Sequence, residues 1–190
     1  PSRNVLSHAL TIKKYSLRTK KLLGTFKPPK AYRKAPGYAI DEHFIYMHTD
    51  AGITKIDMDT NEVLWTATFP TGYGAQIGPV LFENHVGVSL SDRIHIVDKA
   101  TGVPFISLKN KGKGSFSQSM TMANDYLIYG YFSGRVHVYD VNKKTDLFTV
   151  DVGANPGSGF LQDGEQLIFP SANVKIKSVN ADTGDNIWTW

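Results

Sequence analysis

The sequence predicts an all-β fold built from repeated four-stranded antiparallel units, and three observations predict it. Five segments of the 190-residue chain align: 12–20, 53–61, 94–102, 136–144 and 176–184. Their aligned Thr or Lys positions, 19, 60, 101, 143 and 183, are separated by 41, 41, 42 and 40 residues, a pitch too regular for chance. The rest of each unit reads as short apolar runs bounded by turn residues, with no 3.6-residue helical period anywhere.

The first unit is a lone hairpin, residues 9–27. Ile12 and Tyr15 are its apolar positions, Ser16 supplies a turn-capping oxygen, and Thr19-Lys20 closes the turn. Four fuller units follow, at 35–69, 75–108, 116–150 and 159–190. In each, one apolar column (Ile53, Ile94, Val136, Ile176) and a second (Ile56, Val97, Tyr139, Val179) precede a small polar residue, Asp57, Asp98, Asp140 or Asn180. That side chain bonds to amides two or three residues on, and Thr60-Asn61, Thr101-Gly102, Lys143-Lys144 or Thr183-Gly184 makes the turn into a second extended run. Upstream lie a short apolar strand, a turn and a further strand: Phe44–Met47, Val86–Val88, Tyr126–Tyr129 and Gln166–Phe169. Four antiparallel strands in about 41 residues make a propeller blade.

There are thus five outer hairpins and four inner strand pairs. The expected architecture is one β-propeller segment over residues 1–190, about four blades plus one extra hairpin, an incomplete ring or a fragment of a longer one. The missing strands are expected from the rest of the propeller, in cis or in trans, because uncovered strand edges invite pairing.

The repeat resembles the quinoprotein alcohol dehydrogenase-like (pyrroloquinoline quinone repeat) propellers, whose blades carry A-x-D-x-x-T-G-x-x-x-W. Asn180, Thr183, Gly184 and Trp188 match it well, and Asp57, Thr60, Asn61 and Trp65 less fully. The third and fourth hairpins keep Asp98, Thr101 and Gly102 with Ile106, or Asp140 with Phe148, while the first keeps Thr19 with Gly24. The resemblance implies that Trp65 and Trp188 pack between neighbouring blades. Quinone-dependent members use a vicinal disulfide and a calcium-bound carboxylate, and this chain has no cysteine, so the resemblance implies a non-catalytic member with no cofactor. One non-catalytic propeller of this kind works by binding proteins, and the resemblance implies the same use here.

Charge gives the remaining functional signal. Residues 1–40 hold ten Lys and Arg and no acid, leaving eleven basic and 17 acidic groups in the other 150 residues, so the net +4 joins a +10 segment to a −6 body. Lys27, Lys30, Tyr32, Arg33 and Lys34 crowd one Pro-containing stretch and are the expected partner-binding residues. No apolar run reaches the ~18 residues of a spanning helix. Asp57, Asp98 and Asp140 recur with the turn and read as caps, not as acid/base groups. His95 and His137 share one column of successive repeats, too far apart to share a metal, and the recurring Gly-x-Gly loops lack the helix a phosphate cradle needs. No catalytic, cofactor-binding or metal-binding residues are expected. The expected function is a non-enzymatic scaffold for protein–protein interaction within a larger assembly, docking through its basic N-terminal part on an acidic protein surface. The alternatives are a carbohydrate-binding, small-ligand-binding or enzymatic propeller acting through its central loop face, and attachment to nucleic acid through the basic segment.

Overall fold

A computed structural model describes residues 11–26, 37–49, 52–69, 78–90, 92–110, 116–123, 126–157 and 159–190. The chain is an all-β propeller segment, and every regular element among these residues is a strand. A two-stranded hairpin, β1 (Ile12–Tyr15) and β2 (Leu22–Phe26), comes first. Blade I comprises β3 (Tyr38–Asp41), β4 (Phe44–Thr49), β5 (Gly52–Asp57) and β6 (Val63–Thr68). Blade II comprises β7 (Val80–Leu81), β8 (His85–Ser89), β9 (Arg93–Asp98) and β10 (Pro104–Lys109). Blade III comprises β11 (Phe116–Ala123), β12 (Tyr126–Tyr131), β13 (Arg135–Asp140) and β14 (Thr145–Asp151). Blade IV comprises β15 (Leu161–Asp163), β16 (Gln166–Pro170), β17 (Ile176–Asn180) and β18 (Asn186–Thr189). Each blade is an antiparallel meander whose strands pair in chain order, and no named strand pairs with another blade.

The core lies between blades, not within one. A sheet buried on both faces needs apolar residues on both, which is why β5, β8 and β9 read as nearly continuous buried runs. The two apolar columns of the repeat sit three residues apart and so point to opposite faces. Ile53 of blade I packs with Val86, Val88, Leu90 and Val97 of blade II. Ile94 of blade II meets Leu127, Tyr129 and Tyr139 of blade III. Val136 of blade III meets Leu167, Phe169 and Val179 of blade IV. On the opposite face of blade I, Ile45, Met47 and Ile56 receive Ile12 of the hairpin.

One feature of the hairpins has no signature in the residues. In all five, the register slips by one on the outer strand, at Leu23, Leu64, Phe105, Leu147 and Ile187. Such a bulge inserts one residue against none on the partner strand and re-aims those after it. It returns the position that follows (Gly24, Trp65, Ile106, Phe148, Trp188) to pairing.

Candidate functional site between blades II and III

The turn residues of the repeat take up equivalent places. Asp57 Oδ1 accepts from the amides of Asp59 and Thr60 at 2.8 and 2.9 Å. Asp98 Oδ1 accepts from the Thr101 amide and hydroxyl, both at 2.7 Å, Asp140 Oδ1 from the Lys143 amide at 2.8 Å, and Asn180 Oδ1 from Asp182 and Thr183 at 2.9 and 3.0 Å. Ser16 Oγ does the same for Thr19 at 3.0 Å. The residue after each Thr or Lys is left-handed, with φ of 57°, 63°, 74°, 55° and 77° at Lys20, Asn61, Gly102, Lys144 and Gly184. The Thr60 amide holds the Asp57 carboxyl below its ordinary range, the Thr101 hydroxyl does so for Asp98, and the Lys143 amide for Asp140.

These turns also receive the neighbouring blade. The Trp65 ring lies over Gly102 so closely that a Cβ there would be 2.7 Å from it, and its Nε1 donates to the Lys99 carbonyl at 3.1 Å. Phe148 covers Gly184 in the same way, at 2.6 Å. Between blades II and III the pairing is different. Lys144 replaces the glycine, its ammonium stands 4.1 Å from the centroid of the bulged Phe105, and Phe105 stacks on His85 at 4.3 Å. Trp188 lies on the outer strand of blade IV, its Nε1 donating to Gln166 Oε1 at 3.3 Å. The Lys99 carbonyl accepts a second bond, from Lys55 Nζ at 3.0 Å, and the Lys99 ammonium reaches back to Asp41 of blade I. Burial, then the Lys99 charge, holds the Lys55 ammonium below its ordinary pKa.

Between β10 of blade II and strands β12, β13 and β14 of blade III lies a cleft of about 560 Å³. The residue nine positions after the turn Thr or Lys differs from junction to junction. Phe69, nine residues after Thr60, stacks on His95 with ring centroids 3.8 Å apart and planes 8° from parallel, filling the space between blades I and II. The equivalent residue nine after Thr101 is Asn110, which brings no ring to His137. At the third junction it is Val152, beside a smaller cleft of about 260 Å³.

At two positions the cleft wall on blade III is polar where blades I and II are apolar, while blade IV has Phe169 and Asn186 there. Strand pairing sets Tyr129 opposite His137, where Met47 and Val88 stand in blades I and II, and Asp146 opposite Tyr139, where Val63 and Pro104 stand. The Tyr129 hydroxyl donates to Asp146 Oδ1 at 3.4 Å, His137 Nδ1 lies 3.5 Å from the same oxygen, and the Tyr129 and His137 rings stack at 5.1 Å. Burial first, then the Asp146 charge, pushes the Tyr129 phenol up, so its hydroxyl keeps its proton. Tyr131 crosses the His137 ring edge to face at 5.3 Å. Arg135 and Asp151, directly opposite each other on β13 and β14, stand with Lys109 at one end.

Of the residues singled out in the sequence, the turn and interblade positions are placed above, whereas Lys27, Lys30, Tyr32, Arg33 and Lys34 lie outside the described residues. No group of three or more His, Asp or Glu among the described residues is placed to hold a metal. No helix among the described residues is long and apolar enough to cross a membrane. Sequence reasoning noticed His137 and Tyr139 but missed Tyr129, Tyr131 and Asp146. For Tyr129 and Asp146 the signal was a departure from the apolar residues that blades I and II place in the same columns, whereas Tyr131, in a column with Thr49, Leu90 and Ser171, carried none.

No protein-family profile and no curated protein sequence matches the chain. Solved structures do. BamB from Moraxella catarrhalis superposes with a TM-score of 0.69 at 17% identity, over 95% of this chain and 58% of that one. KlHsv2 with loop 6CD replaced by a Gly-Ser linker gives 0.71 at 14% identity, over 94% and 59%. The computationally designed Ika4 protein gives 0.65 at 13%, over 80% and 94%. The chain therefore spans less than two thirds of the length of the first two. The likeness shows the β-propeller fold.

Proposed function

We propose that this chain is a non-enzymatic propeller scaffold of the quinoprotein alcohol dehydrogenase-like type, which binds other proteins as a structural component of a larger assembly. The observation that carries this reading is the apolar surface of blade IV. Trp190 is 78% exposed, Leu161 65%, Ile187 47% and Trp188 39%, where Trp65, the residue equivalent to Trp188, is covered by the next blade. An aromatic and aliphatic face of this kind supports a reading in which further protein packs on blade IV, in cis or in trans. The Asp side chains of the repeat are occupied in capping turns, which supports a structural use for them.

In this reading residues 27–34 form a basic docking segment for an acidic protein surface, because ten cations without an acid in residues 1–40 make a field of one sign. The test replaces Lys27, Lys30, Arg33 and Lys34 by Glu and follows the protein that co-purifies with the native chain. Loss of that protein with an unchanged circular dichroism spectrum supports docking. Retention of it at the same ratio overturns the docking segment, and salt-dependent binding of the parent protein to random RNA or DNA transfers the segment to nucleic acid.

A further inference from the structure

Taking blade IV as a protein-binding face, as proposed above, we infer that this face docks a further propeller blade of one particular kind. The outer turn of that blade carries Lys or Arg beside its capping residue and Gly at its left-handed position. Each junction within the chain matches two positions of one blade to two of the next, and the matched residues change together.

The first pair joins the end of a blade's first strand to the residue after the next blade's capping Asp or Asn. Asp41, Phe82, Ala123 and Asp163 are equivalent, each paired or bonded to the residue that opens the second strand. Lys99 and Ala181 are equivalent too, their amides donating to the Asn84 and Glu165 carbonyls of their own blades, and Val141 follows Asp140 in the same place. Between blades I and II the pair is ionic, the Lys99 ammonium on the Asp41 carboxylate. Between II and III it is apolar, with Phe82 and Val141 in one cluster. Between III and IV it is small, with Ala123 and Ala181 in another.

The second pair joins the side chain after the bulge to the left-handed residue of the next turn. Trp65 and Phe148 lie on Gly102 and Gly184, where a Cβ would meet the ring. Ile106 and Gly24 bring no flat ring, and the turns that follow them have Lys144 and Asn61 at that position.

Blade IV presents Asp163 and Trp188, the combination of blade I, and both are exposed. Register sets Trp188 in one row with Ser178, Ile168 and Leu161, as it sets Trp65 with Lys55, Tyr46 and Ala39. In blade I that row includes Tyr46 and Trp65, which pack on blade II. A carboxylate covered by a neutral turn loses water with no charge in return, so Asp163 selects a cation. The fitting turn is therefore one like Asp98-Lys99-Ala100-Thr101-Gly102. A second copy of this chain does not offer it. Its blade II turn is held by its own blade I, and its first hairpin has Leu17 and Lys20 at the two positions.

The experiment extends the full chain. Trp190 holds the repeat position of Ala67 and of Leu108, so a copy of residues 68–110 joined after it adds blade II in phase, and a copy of 109–152 adds blade III instead. Hydrogen exchange of the β17 and β18 amides reads docking. The blade II copy is expected to slow exchange there about tenfold or more relative to the parent, and the blade III copy to leave it within about twofold. Asp163→Lys in the extended chain is expected to cancel the gain, and adding Lys99→Asp in the appended copy to restore it, a rescue that a general loss of folding does not give. If Asp163→Lys leaves the gain intact, or if the blade III copy protects as well, the charge and glycine matching is overturned while blade IV remains a face that receives protein. If neither copy protects β17 and β18, both readings fall. Concentration-dependent self-association of the parent in sedimentation would make a second copy the occupant and also overturn the inference.

Discussion

At the scale of single residues, the repeat is a set of small electrostatic devices. Asp57 and Asp98 each hold a charge that backbone amides and a hydroxyl stabilise, and both have carboxyl pKa values below the ordinary 3.8. A carboxyl depressed in the folded state takes up its proton more readily in the unfolded chain. Its stabilisation is therefore complete above the unfolded pKa and is lost as pH falls through the folded value. Replacing Asp57 and Asp98 together by Asn, the residue that caps blade IV, is expected to leave Tm near neutral pH almost unchanged and to flatten its fall below about pH 4. A thermal melt series from pH 7 to pH 2 measures this. Gly102 is constrained twice, by φ of 74° and by the Trp65 ring 2.7 Å from where a Cβ would sit. Gly102→Ala should cost about 2 kcal/mol or more in urea unfolding, whereas Asn61→Gly, at the left-handed position with φ of 63°, should change stability by only a few tenths. Equal effects at the two sites would remove the interblade ring as the reason for the glycine.

At the scale of elements, legibility in the sequence followed how local the cause was. The hairpins could be read because Asp, Asn or Ser, then Thr or Lys, then a left-handed Gly, Asn or Lys make each turn within five residues, and the pitch follows from counting them. The bulges could not, because Leu64, Phe105 and Ile187 look like ordinary strand residues, and a slip of one moves every later side chain to the other face. The cleft depends on contacts between β10 and the strands of blade III, which no pattern local to one repeat records. His95 shows what such a junction does to a titratable group. It is 5% exposed and stacked on Phe69, and burial, then the Arg93 charge, lowers its pKa, with Asp92 opposing. The unfolded chain therefore binds the proton first, and the stability that neutral His95 contributes is present above about 6.5 and lost as pH falls below it. His95→Phe is expected to flatten the dependence of Tm between pH 7 and pH 5, a window in which the capped aspartates do not titrate. An unchanged slope there would place the acid sensitivity elsewhere.

At the scale of the whole molecule, hydrogen bonds and packing divide the work. Strand pairing closes within each blade, and cohesion between blades rests on side chains such as Trp65, Phe69 and Phe148 meeting the next sheet. A chain of units that touch only their neighbours behaves as a one-dimensional array, in which weakening one interface uncouples what lies on either side of it. Phe69 is 6% exposed in the first such interface, and Phe69→Ala should cost about 3–5 kcal/mol there, from lost burial and the cavity left over His95. Hydrogen exchange then distinguishes array from globule. In the array, amides of β4 and β5 lose protection first, together with the β1–β2 hairpin that depends on blade I, while β16 and β17 keep theirs, because two intact interfaces separate them from the lesion. A uniform loss of protection across all four blades would instead mean that the interfaces couple strongly enough for the segment to open only as a whole.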